Sequence, residues 1–126
     1  MKLTGILIGS EDPQRLADYY AKVLGEPGMS DNGFTGFQLG EAWVSVGPHS
    51  EVHGRNADPG RVIWNIETDD VRRDFERFRD AGATVVQEPY TPGDDTGDAG
   101  DFLIATFEDP DGNYFQLMST MEEMGG

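Results

Sequence analysis

The sequence predicts an α+β protein. Two βαβββ modules form curved mixed sheets around a concave cleft, with the helices outside. Three observations predict it. A strand, a helix and then several strands occur twice within 126 residues. Gly25 and Gly82 close the two helical stretches at equivalent points. A polar, turn-rich stretch from Pro48 to Gly60 separates the copies. A repeat of this size indicates two fused copies of one supersecondary unit. The expected modules are residues 1–57 and 58–126, together one domain.

Each element follows from local chemistry. Leu3 to Ile8 is short and apolar and reads as a strand. Asp12 suits a helix cap and Pro13 a first turn. Leu16, Tyr19, Tyr20, Val23 and Leu24 recur at helical spacing as far as Gly25. Phe34–Leu39 and Ala42–Gly47 read as strands joined by Gly40-Glu41.

In the second copy, Arg61 to Glu67 reads as a strand. Thr68, Asp69 and Asp70 begin a helix that carries Val71, Phe75 and Phe78 on one face. Thr84–Glu88 is a strand and Pro89–Gly100 a loop. Phe102–Glu108 and Tyr114–Ser119 are strands joined by Asp109-Pro110-Asp111-Gly112-Asn113. Asp and Pro initiate such a turn, and Gly and Asn tolerate positive φ. The turn is read as shaping the hairpin. The tail 121–126 is polar and read as frayed.

Composition narrows the function. With 37% hydrophobic residues, the chain can bury one core. Cysteine is absent, which removes disulfides and thiolate metal sites. Nine basic residues against 24 acidic give a net charge of −15. Such a surface repels phosphate backbones and attracts cations, so nucleic acid is not an expected partner. No apolar run approaches a membrane span, and Met1 leads directly into the strand from Leu3 to Ile8. The expectation is a cytoplasmic protein with no membrane partner.

Two segments carry a family resemblance. Asp12-Pro-Gln-Arg-Leu-Ala-Asp-Tyr-Tyr-Ala-Lys-Val-Leu-Gly25 resembles the first helix of the vicinal-oxygen-chelate superfamily. These are the glyoxalases, bleomycin-resistance proteins and extradiol dioxygenases. Phe107-Glu-Asp-Pro-Asp-Gly-Asn-Tyr-Phe-Gln-Leu117 is similar to that family's last hairpin. The resemblance implies a ligand cleft on the inner strand faces and a homodimer. In metal-dependent members, four strands each present a His, Glu or Gln ligand. The matching positions here are Gly5, Ser45, Ile63 (with Val62 its neighbour) and Gln116. Glycine and isoleucine offer no donor, and serine is a poor one. The expectation is no metal, no other cofactor, and no glyoxalase or ring-cleaving chemistry of the usual kind.

Other metal sites are not expected. His49 and His53 read as loop residues, because the Gly/Pro/Asn-rich stretch around them disfavours a helix. Asp94, Asp95, Asp98 and Asp101 lack the spacing of a calcium loop. No nucleophile triad is visible. Tyr90 and Asn65 are the candidates for minor acid–base or orienting work, and Arg61 is read as pairing with surface acids.

Strand alternation sorts the inner faces. The expected ligand-binding residues are Leu7, Trp43, Ser45, Ile63, Asn65, Ile104, Thr106, Tyr114, Gln116 and Met118. Trp64 is read as core under the helices. Aromatic and apolar groups with a few amides and hydroxyls suit an apolar or aromatic ligand. Three functions remain open. One is metal-independent binding of an apolar or cationic drug or metabolite, similar to the antibiotic-sequestering members. The second is a lyase- or isomerase-type enzyme with a non-standard site. The third is a metabolite-sensing accessory module.

Overall fold

In the first half of the chain, the strand at Gly5–Ser10 (β1) leads into the helix Pro13–Leu24 (α1). Strands Met29–Asp31 (β2), Phe34–Leu39 (β3) and Ala42–Pro48 (β4) follow. The second half repeats the order with Trp64–Thr68 (β5), Val71–Asp80 (α2), Thr84–Tyr90 (β6), Ile104–Glu108 (β7) and Tyr114–Ser119 (β8). The computed structural model describes residues 1–92 and 102–120. It contains two four-stranded mixed sheets, ordered β1-β4-β3-β2 and β5-β8-β7-β6. In each sheet the first strand pairs in parallel with the last, and the other pairings are antiparallel.

The repeat extends to single hydrogen bonds. Asp12 Oδ1 accepts from Arg15 N at 3.2 Å, and Asp70 Oδ1 accepts from Arg73 N at 3.0 Å. Ser10 and Thr68, each two residues earlier, accept from the backbone N–H of the capping Asp. Each Asp side chain satisfies an otherwise unpaired N–H of the first helical turn. Gly25 and Gly82 both adopt positive φ just past the helices, where a side chain would be strained.

Several boundaries differ from the sequence reading. β1 begins at Gly5 rather than Leu3, because its ladder starts opposite Trp43, just after the β3–β4 turn. β2 was not expected. Its three exposed residues lack apolar alternation, and it forms through a turn with positive φ at Asn32 and Gly33. β5 begins at Trp64 rather than Arg61, since Pro59–Arg61 is a 3-10 turn that leaves Val62 and Ile63 outside the ladder. Thr68, Asp69 and Asp70 end a strand and cap α2 rather than start it. β6 runs on through Tyr90, pairing with Ile104 across an irregular register, and β7 starts at Ile104 rather than Phe102. The frayed reading of 121–126 lies outside the described residues.

Both helices contribute to one core. Leu16, Ala17, Tyr20 and Val23 of α1 and Val71, Phe75 and Phe78 of α2 are buried in the same cluster as Phe37, Val46, Phe107, Phe115 and Leu117. Phe115 stacks on Phe107 at 5.5 Å and on Trp64 at 5.2 Å, and Tyr20 meets it edge-on at 5.5 Å. Trp64 therefore packs against the core, as the alternation predicted. Such ring pairs add stabilisation beyond the area they bury.

The β7–β8 turn joins the halves. Asp109 is 2% exposed. Its Oδ2 accepts from the Tyr20 hydroxyl at 2.7 Å, and its Oδ1 accepts from the backbone N–H of Asp111 and Asn113. Arg15 Nη2 reaches Asp111 Oδ1 at 2.7 Å, and Arg55 Nη1 donates to the Pro110 carbonyl at 3.0 Å. Burial raises the Asp109 carboxyl above its usual range, while Tyr20 and the Asn113 and Asp111 N–H groups oppose the rise. Burial, with the Asp109 charge beside it, pushes the Tyr20 hydroxyl far up.

Tyr20→Phe therefore lowers stability by about 2 kcal/mol at neutral pH, the usual range for a hydrogen bond to a charged group. It also moves the Asp109 titration to higher pH, since the lost donor was holding it down. A group with a raised folded pKa contributes stability below its unfolded value of about 3.9 and loses it as pH rises through the folded value. The cost of Tyr20→Phe should shrink as pH falls through that value. Denaturation series from pH 3 to 7 with carboxyl carbon NMR check both points. An unmoved Asp109 titration would show that Tyr20 is not its effective donor.

Candidate functional site

The helices cover one face of each sheet, and the pleat sends alternate side chains to the other. On β8 the alternation is complete: Phe115, Leu117 and Ser119 are buried while Tyr114, Gln116 and Met118 are half-buried. Register aligns Asn65 of β5, Gln116 of β8, Thr106 of β7 and Gln87 of β6 in one row. Gln116 Nε2 donates to Thr106 Oγ1 at 2.9 Å, which holds the amide across the strands. The next row holds Glu67, Met118, Ile104 and Tyr90. The face thus offers three amides and a hydroxyl in one row, beside a row that carries Met118 and Ile104.

On the first sheet, one row holds Leu7, Ser45 and Gly36 and the next holds Gly5, Trp43 and Gln38. The Trp43 indole packs against Gly36 of β3, where a side chain would crowd it. A Cβ on Gly36 would stand 3.1 Å from Trp43 Cε3. Trp43 is half-buried, and Leu7 is 56% exposed.

The four positions that carry metal ligands in the resembled family do not fit a metal. Gly5 has no donor, and a Cβ there would run into the backbone carbonyl oxygen of Trp43. No ligand side chain fits that position without separating β1 from β4. Ile63 lies outside the β5 ladder and offers only hydrocarbon. Ser45 and the Gln116 amide are neutral, and Gln116 is already bonded to Thr106. Divalent metals bound by such folds need convergent imidazole or carboxylate ligands. Among the described residues no group of three or more His, Cys, Asp or Glu is arranged to hold one.

The other candidate residues are placed plainly. His49 and His53 are exposed. His49 Nδ1 accepts from Glu51 N at 3.1 Å, and His53 Nδ1 lies 3.5 Å from Glu11 Oε2. The Glu11 carboxyl is held below its usual range, first by the Gly54 N–H and then by His53. Arg61 lies 3.8 Å from Asp58, a surface pair. Asp94, Asp95, Asp98 and Asp101 lie outside the described residues.

Two open grooves run along the seam between the edge strands β1 and β5. One, of about 750 Å³, is lined by Trp43, Ile63 and Asn65 among others. The other, of about 610 Å³, is lined by Leu7 and Tyr114 and by residues the sequence reading did not assign to a site: Trp64, Asp111, Arg55 and Asn56. Ser45, Ile104, Thr106, Gln116 and Met118 line neither groove and stand on the helix-free faces. The candidate set is therefore spread over two faces and a seam rather than gathered in one closed pocket. Asp111 had a sequence signal, its place in the Asp-Pro-Asp-Gly-Asn turn. That signal reads as turn chemistry until the fold brings residues 51–56 beside it.

Two mixed βαβββ sheets, each with its helix on one face, define a protein of the vicinal-oxygen-chelate superfamily. The sequence model of the glyoxalase-like domain matches residues 5–118, and the chain belongs to that family. Solved structures agree on the fold. A glyoxalase-related enzyme from Fulvimarina pelagi superposes with a TM-score of 0.72 at 17% identity, covering 96% of this chain and 89% of that one. A glyoxalase/bleomycin resistance protein/dioxygenase family enzyme from Burkholderia phytofirmans PsJN gives 0.70 at 20% identity, over 94% and 98%. A glyoxalase/bleomycin resistance protein from Albidiferax ferrireducens T118 gives 0.71 at 18%, over 94% and 98%. No curated protein matches the chain significantly.

The tight β1–β4 contact is testable. Gly5→Ala should cost about 1–3 kcal/mol through forced separation of the strands. Gly60→Ala, where a Cβ meets nothing, should be nearly neutral. Thermal or urea unfolding of both variants makes the comparison. Equal effects would show that the Trp43 carbonyl does not restrict Gly5.

Proposed function

We propose that the chain is a metal-independent binding protein that sequesters a small apolar or cationic molecule, a drug or metabolite, on its helix-free faces. One observation carries the reading. Gly5 has no room for a larger residue, and it stands with Ser45, Ile63 and Gln116 at the four positions that the family resemblance assigns to metal ligands. The same faces offer the Trp43 indole, Leu7 and Met118 as apolar surface. Asn65, Gln116 and Thr106 supply a few orienting hydrogen bonds. That combination suits an aromatic body with one or two polar groups. The net charge of −15 favours encounter with cations and disfavours nucleic acid. No helix among the described residues is long and apolar enough to cross a membrane, and the reading places the protein in the cytoplasm.

The test is elemental mass spectrometry of the purified protein before and after zinc, nickel and manganese, followed by a thermal-shift screen of aromatic cations. The expected result is no stoichiometric metal, with ligands that raise the melting temperature in the wild type and not in Trp43→Ala. One equivalent of metal per chain would sink the reading and favour a lyase- or isomerase-type enzyme.

The reading includes a homodimer. Leu3, Leu7 and Val62 are 82%, 56% and 72% exposed, and all three border the β1–β5 seam. Apolar side chains clustered along a groove favour a partner surface. Light scattering should give twice the 13.8 kDa chain mass, and Val62→Glu should halve it. A monodisperse monomer of the wild type would refute the dimer.

A further inference from the structure

Of the asparagines Asn32, Asn56, Asn65 and Asn113, only Asn32 is followed by glycine. Asn32 and Gly33 form the two-residue loop between Asp31 and Phe34, the pair that ends the β2–β3 ladder. Both loop residues are exposed, with φ angles of 53° and 84°. Such a loop takes Asn-Gly because both positions need positive φ. The same pair is chemically reactive. Gly33 has no side chain to shield its backbone nitrogen, and joining that nitrogen to Asn32 Cγ closes a five-membered ring.

Among the described residues, no hydrogen bond holds the Asn32 amide or the Gly33 N–H. The other candidates are held. Asn56 donates to Asn113 and accepts from the Asp58 N–H, and Asn113 donates to Asp109. Asn65 stands inside the β5 ladder and precedes Ile66. Asp111-Gly112 has the atoms for the same ring, but Asp111 is buried and the Gly112 N–H donates to the Asp109 carbonyl at 2.9 Å. β2 resists little. It is a sheet edge of three exposed residues, and elements with few buried contacts open locally at low cost.

We propose that Asn32 is a site of spontaneous deamidation, and that its conversion to isoaspartate releases β2 from the Trp43 indole. The Gly33 nitrogen, once deprotonated, bonds to Asn32 Cγ. The Cγ–Nδ2 bond breaks, and Nδ2 leaves as ammonia with the proton. Water then opens the ring. Breaking the new N–Cγ bond gives aspartate. Breaking the bond from the Asn32 carbonyl carbon to the Gly33 nitrogen gives isoaspartate, whose main chain runs through Cβ and Cγ. Water is the only co-reactant. Either product adds one negative charge to the net −15.

Isoaspartate brings one extra main-chain carbon into a loop of two residues. Loop length and turn type fix hairpin register, so the β2–β3 pairing cannot persist unchanged. That pairing builds a wall of Trp43. The Gly28 N–H donates to the Gly36 carbonyl at 2.8 Å. A Cβ on Gly28 would stand 2.9 Å from Trp43 Cη2, and one on Gly36 3.1 Å from Cε3. Both glycines therefore lie against the indole, and losing the β2 pairing withdraws the Gly28 side. This holds whatever binds at that face.

The experiment incubates the full chain in warm, mildly alkaline buffer, beside a urea-unfolded sample and the variant Asn32→Gly. Glycine at 32 keeps the turn, since Gly-Gly takes the same conformation, and has no amide to lose. Peptide mass spectrometry on unlabelled protein reads conversion, and an isoaspartate-specific methyltransferase separates the products. A nitrogen-15-labelled portion reports the Trp43 indole N–H resonance, assigned with Trp43→Phe. The expected result in the folded wild type is a gain of one dalton at Asn32, faster at higher pH, with isoaspartate present. No gain is expected at Asn56, Asn65 or Asn113. The Trp43 resonance shifts in proportion to conversion, and stays still in Asn32→Gly. An Asn32 that remains intact in the folded chain would overturn the proposal, and conversion confined to the urea sample would show that the hairpin protects it. Conversion to aspartate alone, or a Trp43 resonance unmoved in converted protein, would also overturn it.

Discussion

The Asp109 carboxylate, buried beneath the β7–β8 turn, holds the two halves of this chain in one arrangement. A buried carboxylate is costly unless its oxygens are hydrogen-bonded. Here the partners come from its own turn, through the N–H groups of Asp111 and Asn113, and from the other half, through the Tyr20 hydroxyl. The turn cannot stay satisfied if α1 moves away. The neighbouring contacts, Arg15 to Asp111 and residues 55 and 56 to the turn backbone, repeat the constraint at a partly exposed level. Exposed ion pairs contribute little, so the buried Tyr20–Asp109 bond is the one to which the interface is most sensitive.

The rest of the architecture follows from that anchoring. With α1 pinned to the turn, Tyr20 also lies edge-on to Phe115, and the rings of both halves form one cluster. The helices are committed to that cluster, which leaves the opposite sheet faces uncovered. The seam between β1 and β5 becomes a groove because neither edge strand pairs with the other. Fold and candidate sites thus share one cause. The surface not used to join the halves is the surface available to ligands.

The family membership and the residues at the positions that the resemblance assigns to metal ligands point in different directions about chemistry. One fold hosts many functions, and a function is argued from its site. In this chain the first-strand position is a glycine pressed against the neighbouring backbone, which is a packing choice as well as a missing donor. The inner faces are correspondingly poor in groups that titrate near neutrality and richer in amides, hydroxyls and an indole. Such surfaces recognise by shape and hydrogen bonding.

The sequence by itself determined the class of fold, because its signals are local and doubled. Asp caps, helical apolar spacing and closing glycines recur in both halves. Each reflects backbone chemistry acting over a few residues. Phe115 and Leu117 against Gln116 and Met118 were legible from alternation alone, as was Trp64 in the core. Boundaries such as Gly5, Trp64 and Tyr90 were not, since a strand ends where its ladder partner ends. β2 was invisible because an exposed edge strand of three residues needs no apolar pattern. The groove at the seam was decided only by tertiary structure. It arises where residues 6–9, 51–56, 64 and 111–114 meet, and no local rule reports which distant backbone will lie beside a side chain.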